Sequence, residues 1–141
     1  MLPEIELKEP ITNATQSLEK YGGRPLMLTF WTSWCPDARQ DWENKKKVVS
    51  RLEAAGLNVV MINVTGREPD QEKLEAFINE EKESFKILLD DGTTLYDYYR
   101  CKGVPTTILF NPEGEVVHQY DDTASFVEIM EGLTELIDPD A

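Results

Sequence analysis

Cysteine, histidine and positive charge are all scarce in this 141-residue chain, and each scarcity narrows what it can do. Two cysteines, Cys35 and Cys101, are too few for a disulfide-stapled scaffold. With His118 as the single histidine, they also fall short of a four-ligand zinc site, so no metal and no cofactor is expected. Lys and Arg number 14 against 27 Asp and Glu, a net charge of −13, and nucleic acid or an anionic membrane would be repelled at long range. No apolar run approaches the roughly eighteen residues of a spanning helix, so no part of the segment is expected to insert into a membrane. Met1-Leu2-Pro3-Glu4 lacks the basic start and apolar stretch of a secretory leader. The chain is therefore expected either to be cytoplasmic or to be the soluble part of an exported or anchored protein whose leader is gone. Chemistry is left to a thiol, a carboxylate or the backbone.

What is present alternates between strand and helix, the pattern of an α/β layer architecture in one domain over 1–141. Glu4 to Leu7 reads as a short edge strand. Leu26-Met27-Leu28-Thr29-Phe30-Trp31 is a continuous apolar run, as expected of a strand covered on both faces. From Pro36 to about Ala55, Ala38, Trp42, Val49 and Leu52 recur at helical spacing, and Gly56 stands where a left-handed cap would close a helix. A second buried strand is expected from Leu57 to Val64. A helix from Asp70 to about Glu83 follows, burying Leu74, Phe77 and Ile78, with an extended piece from Phe85 to Leu89 and a helical turn at Leu95 to Tyr99. Pro105 introduces a strand to Phe110, and Asn111-Pro112-Glu113-Gly114 turns it into a hairpin with Glu115 to Tyr120. The last helix, from about Thr123 to Ile137, places Phe126, Ile129, Met130, Leu133 and Ile137 on one face.

Three local features stand out in that order. Phe30-Trp31-Thr32-Ser33-Trp34-Cys35-Pro36 ends a buried strand and opens a helix; Tyr99-Arg100-Cys101-Lys102-Gly103-Val104-Pro105-Thr106-Thr107 enters a strand at a proline; Asn111-Pro112-Glu113-Gly114-Glu115-Val116-Val117 turns into the last strand. Together with Leu2-Pro3-Glu4-Ile5-Glu6-Leu7 and Gly23-Arg24-Pro25-Leu26, these resemble the thioredoxin superfamily, in particular its TlpA/ResA-like branch of thiol–disulfide oxidoreductases, from about Pro3 to Leu136. The resemblance implies a thioredoxin fold, a central mixed sheet of four to five strands flanked by helices. It also implies a cis peptide before Pro105, with the Val104 backbone beside the sulfur to receive an extended substrate strand. Protein disulfides would be the substrates and a thiol the electron donor, in a bacterial extracytoplasmic setting (periplasmic or at the outer face of the cytoplasmic membrane) with a cytoplasmic one as the alternative; nothing demands more than a monomer.

The placement of Cys35 suits such chemistry. A thiolate, not a thiol, attacks a disulfide, and Cys35 immediately precedes a helix whose free N–H groups and macrodipole favour an anion. Pro36 fits the first helical position, where its missing N–H costs nothing. Trp34 would flank the sulfur as an apolar platform. Asp41, six residues after Cys35, stands where the branch often has a glutamate and could tune the thiolate or relay a proton, or be a solvated helical charge. Asp37 would oppose thiolate formation.

The family motif breaks at Ala38, where the resolving cysteine of Cys-x-x-Cys belongs; a mixed disulfide on Cys35 would persist until an outside thiol attacked it. Either the chain is a natural monothiol variant, or Cys was replaced deliberately; alanine, the least disruptive helical replacement, favours the second. Glu43 and Phe85-Lys86 also depart from the branch, which commonly has proline at 43 and 86. Cys101 is expected to pack as a small hydrophobe rather than to resolve Cys35, and His118 has no assigned role. Two rival functions remain: a thiol peroxidase, from the weak Thr32-Ser33-Trp34-Cys35 match to Thr-x-x-Cys without the usual later arginine, and a non-catalytic thioredoxin-fold interaction module.

Overall fold

The computed structural model describes residues 2–138; the one-domain expectation over 1–141 takes in residues 1 and 139–141, which lie outside them. Among the described residues, seven strands form one mixed sheet in the order β2-β1-β5-β4-β3-β6-β7. These are β1 (Leu7–Lys8), β2 (Thr15–Gln16), β3 (Leu26–Trp31), β4 (Asn58–Asn63), β5 (Lys86–Leu89), β6 (Thr106–Phe110) and β7 (Val116–Tyr120). The helices are α1 (Pro36–Lys46), α2 (Val49–Ala54), α3 (Gln71–Glu81), α4 (Thr94–Tyr98) and α5 (Phe126–Ile137). Parallel pairing joins β3 to β4 and β4 to β5, whereas β6 runs antiparallel to β3 and β7 antiparallel to β6.

The sheet is larger than the expected four to five strands. The difference comes chiefly from β1 and β2, a two-residue pairing closed by a turn in which Ile11 and Asn13 take positive φ. Two residues are too few to leave an alternating pattern in a sequence; the first strand lies at Leu7–Lys8 rather than Glu4 to Leu7, and it is not the edge, since β2 pairs outside it. A second difference is that the helix expected from Pro36 to about Ala55 is two helices. The break falls at Lys47 and Val48, where β-branched Val48 and Val49 adjoin and are crowded in a helix.

Period-two alternation along the inner strands divides the core between the two faces. One face gathers Met27, Trp31, Met61 and Leu109 against Ala38 and Trp42 of α1, Leu74 and Phe77 of α3 and Leu133 of α5. The other gathers Leu28, Phe30, Ile62 and Ile108 against Leu95 and Tyr96 of α4 and the N-terminal Leu7 and Leu18. Both faces being covered explains why β3, β4 and β6 read as unbroken apolar runs. Trp42 is the keystone of the first face: its ring centroid lies 4.7 Å from Trp31, 5.1 Å from Phe77 and 4.7 Å from Phe85. It fixes α1 on the sheet, and with it the residue that precedes α1.

Candidate functional site

Trp31 ends β3, Thr32, Ser33 and Trp34 make the turn, and Cys35 caps α1 with an extended backbone, φ −80° and ψ 121°. Pro36 occupies the first helical position, and the Cys35 carbonyl accepts the Arg39 N–H at 3.0 Å. The Cys35 thiol makes no bond to the helix's own N–H groups, so its sulfur is left at the positive end of the macrodipole. It is half-buried, and its Sγ points to the Val104 carbonyl oxygen at 3.8 Å. The Val104–Pro105 peptide is cis. Beside the sulfur, Trp34 is 54% exposed, one of the few large apolar side chains that face solvent. Thus Trp34, Cys35, Pro36, Val104 and Pro105 meet at one end of β3 and β6.

Ala38 is 2% exposed and packs into the core of the first face. One turn further along, Asp41 is drawn inward by a residue that sequence reasoning passed over. Lys45 is fully buried, and its ammonium donates to Asp41 Oδ2 at 2.8 Å, Thr29 Oγ1 at 2.9 Å and Thr107 Oγ1 at 2.7 Å. Thr29 and Thr107 are cross-strand partners on β3 and β6, so one ammonium ties α1 to both strands that carry the site. Burial pushes the Lys45 pKa down, opposed by the Asp41 carboxylate. A lysine inside the basic run Lys45-Lys46-Lys47 looks like a solvated face; what marked it was its place, three residues after the inward Trp42.

A second group absent from the sequence reading is Glu68. It accepts from the Ser33 backbone N–H at 2.7 Å, Ser33 Oγ at 2.6 Å and Asn63 Nδ2 at 2.8 Å. Next to it, the Arg67 carbonyl accepts the Trp34 indole N–H at 2.8 Å. Thr32 is buried and its hydroxyl has no hydrogen-bond partner.

Cys101 is elsewhere in role as well as in sequence. Partly buried against the second core face, it has a thiol that burial pushes up to about 12, and it is an inert thiol near neutrality. Both cysteines are free. His118 lies 3.4 Å from Glu135 and stacks on Tyr120, away from the thiol's strand ends. Glu43 and Asp37 are exposed on α1. Among the described residues no cluster of metal-ligating side chains occurs, and no helix is long and apolar enough to cross a membrane.

Known proteins resemble this chain in sequence and in fold. The thiol-disulfide oxidoreductase ResA of Halalkalibacterium halodurans is 29% identical over 134 residues, covering 94% of this chain and 73% of the relative. The sporulation thiol-disulfide oxidoreductase A of Bacillus subtilis is 29% identical over 115 residues, 82% of this chain and 69% of that protein. The crystal structure of StoA from Bacillus subtilis superposes with a TM-score of 0.73 at 26% identity, over 89% of this chain and 93% of that one. A thiol-disulfide isomerase from Corynebacterium glutamicum shares the fold with a TM-score of 0.80 at 19% identity, over 98% and 96% of the two chains. The profile of the AhpC/TSA family matches residues 1–119, and the chain belongs to that family, within its thioredoxin-like fold.

Proposed function

We propose that the chain is a thiol–disulfide oxidoreductase acting on protein disulfides, with Cys35 as the attacking thiolate. The observation that carries this reading is the Cys35 sulfur at the start of α1, 3.8 Å from the carbonyl that precedes Pro105. A substrate strand laid along the Val104 backbone would bring its disulfide to that sulfur, with Trp34 and Pro36 as the apolar floor. In the first step the Cys35 thiolate attacks one substrate sulfur; a Cys35–S–S–substrate bond forms, the substrate disulfide breaks, and the other substrate sulfur leaves as thiolate. The relatives' names, two thiol-disulfide oxidoreductases, support this class of exchange.

Because residue 38 is alanine, the second step falls to an external thiol. Its thiolate attacks the substrate sulfur, forming a new disulfide there and releasing Cys35 as thiolate; a further external thiol then completes reduction of the substrate. Asp41 sits one helical turn from position 38 and supplies a carboxylate on the buried side of α1, where it can bias protonation of the site. An extracytoplasmic location and a monomeric state complete the reading. It is tested by mixing the chain with a peptide disulfide: a persistent one-to-one adduct on Cys35 is expected, absent in Cys35→Ser. Ala38→Cys is expected to give dithiothreitol-driven insulin reduction. No adduct, with inactivity of a folded Ala38→Cys, would favour an interaction module instead.

A peroxidase has one feature in its favour, the buried Thr32 hydroxyl without a partner three residues before Cys35. Peroxide consumption in the presence of an external thiol, faster than peptide exchange and lost in Thr32→Val, would select it.

A further inference from the structure

The turn that carries the thiol is held by a group from a distant part of the chain. Ser33 is two residues before Cys35, and consecutive Cα atoms are about 3.8 Å apart, so whatever fixes Ser33 fixes the cysteine backbone to within about 8 Å along the chain. Both oxygens of the Glu68 carboxylate are engaged. Oε2 accepts the Ser33 N–H at 2.7 Å and the Asn63 amide at 2.8 Å, and Oε1 accepts the Ser33 hydroxyl at 2.6 Å. Asn63 is the last residue of β4 and fully buried, so the carboxylate is itself anchored to the sheet. The neighbouring Arg67 stacks its guanidinium over Tyr96, 4.9 Å from the ring centroid, while its carbonyl holds the Trp34 indole. The Arg67–Glu68 loop therefore grips both the backbone before Cys35 and the exposed aromatic beside it.

We propose that Glu68 is a positioning residue for the Cys35 chemistry: it fixes the turn before the thiol in the geometry that receives an extended substrate. The proposal rests on Cys35 being the reacting thiol. One consequence separates it from mere support of the fold. A strand-like substrate must align with both Trp34 and the Val104 backbone, whereas a small disulfide needs access to the sulfur alone, so loosening the turn penalises the first more than the second. Other charges face the same turn: Asp37 and Arg39 from α1, and Asp70, which caps α3, with Lys73 and Glu80 from α3 across a groove of about 480 Å³ that Glu68 and Trp34 also line. They are unchanged in the variants below and cancel in the comparison.

The test compares Glu68→Gln and Ser33→Ala with the unsubstituted chain in two assays. One follows the rate of iodoacetamide alkylation of Cys35 at pH 8. The other measures exchange with an extended peptide disulfide and with 2-hydroxyethyl disulfide at the same pH. Glu68→Gln keeps the size of the side chain but replaces a charged acceptor by a weaker neutral one. It is expected to slow exchange with the peptide about tenfold, and exchange with the small disulfide and alkylation less than about twofold. Ser33→Ala removes one bond and no charge; it is expected likewise to lower the peptide-to-small-disulfide ratio. A lower melting temperature with that ratio unchanged would overturn the proposal. An unsubstituted chain that is alkylated at Cys35 but exchanges with neither disulfide would instead overturn the oxidoreductase reading on which the proposal rests. Should Glu68→Gln fail to fold, Ser33→Ala decides through the ratio.

Discussion

Lys45 shows how much one side chain can settle. An ammonium with no exposure is costly unless every proton is placed, and here three oxygens, from Asp41, Thr29 and Thr107, take its three donors. Lys45→Met fills the space but strands a largely buried carboxylate and two hydroxyls. Urea denaturation at pH 7 is expected to show a loss of about 3 kcal/mol. Adding Asp41→Asn should cost much less than on its own, because the uncompensated charge goes with it. The pH dependence has a definite sign. Burial lowers the folded-state pKa of Lys45 below its ordinary 10.5. Between those two values the unfolded chain holds more protons than the folded one, so this lysine makes the protein more stable as pH rises through that window. Stability of the native chain minus that of Lys45→Met should accordingly grow toward alkaline pH; parallel curves would mean the ammonium is not desolvated as described. Cys101 gives the complementary check on the thiols. With its ionisation displaced to about 12, iodoacetamide at pH 8 should label one cysteine, Cys35, in the native chain and two in urea, as read by mass spectrometry.

At the scale of elements, packing overrules propensity in α5. The helix starts well: the Ser125 hydroxyl accepts the Glu128 N–H at 3.1 Å and the Glu128 carboxylate accepts the Ser125 N–H at 3.1 Å. Gly132 in its middle is a poor helix former, and alanine there would gain about 1 kcal/mol on propensity. Yet a Cβ at Gly132 would lie 2.2 Å from the Tyr120 hydroxyl and 3.2 Å from Leu109, since the helix lies close against β6 and β7. Gly132→Ala is therefore expected to destabilise by about 1–3 kcal/mol in urea, despite the better helix former. Tyr120→Phe in the same chain should recover part of that loss; no recovery would place the clash elsewhere. The same contest explains what the sequence showed and what it hid. Strands β3, β4 and β6 and the inward faces of α3 and α5 are periodic and apolar, and they stand where that pattern put them. The β1–β2 pairing is set by side-chain and turn contacts over two residues per strand, which no periodicity records. Cys35, Trp34 and Pro105 were singled out through the family resemblance, which is carried by local signals: a strand end, a helix start and a proline ahead of a strand. Glu68 and Lys45 were not: their partners lie 35 and 62 residues away in the chain, and only the closed sheet brings them together.

For the molecule as a whole, the dominant feature is the net charge of −13, and it bears on kinetics more than on fold. The sulfur of Cys35 lies at a locally positive helix start, but a reagent diffusing in meets the field of the whole surface first. That field reaches about 30 Å at 10 mM salt and about 8 Å at physiological salt. An external thiol or disulfide bearing carboxylates is repelled before it can feel the helix, and one bearing amines is drawn in. The rate of Cys35 with a dicarboxylated aromatic disulfide should therefore rise as salt increases from 10 to about 150 mM, several-fold on the general scale of electrostatic steering. With cystamine, which carries two ammonium groups, the rate should fall over the same range, and with uncharged 2-hydroxyethyl disulfide it should stay flat. Opposite slopes for the two charged probes would assign the effect to the global field. If the anionic probe instead slows with salt, the local cations Arg39 and Lys73, which line the groove beside Trp34, govern approach to the thiol. In that case a carboxylate-bearing thiol, rather than a neutral one, is the better match for the external donor in the exchange proposed for a site with Ala38.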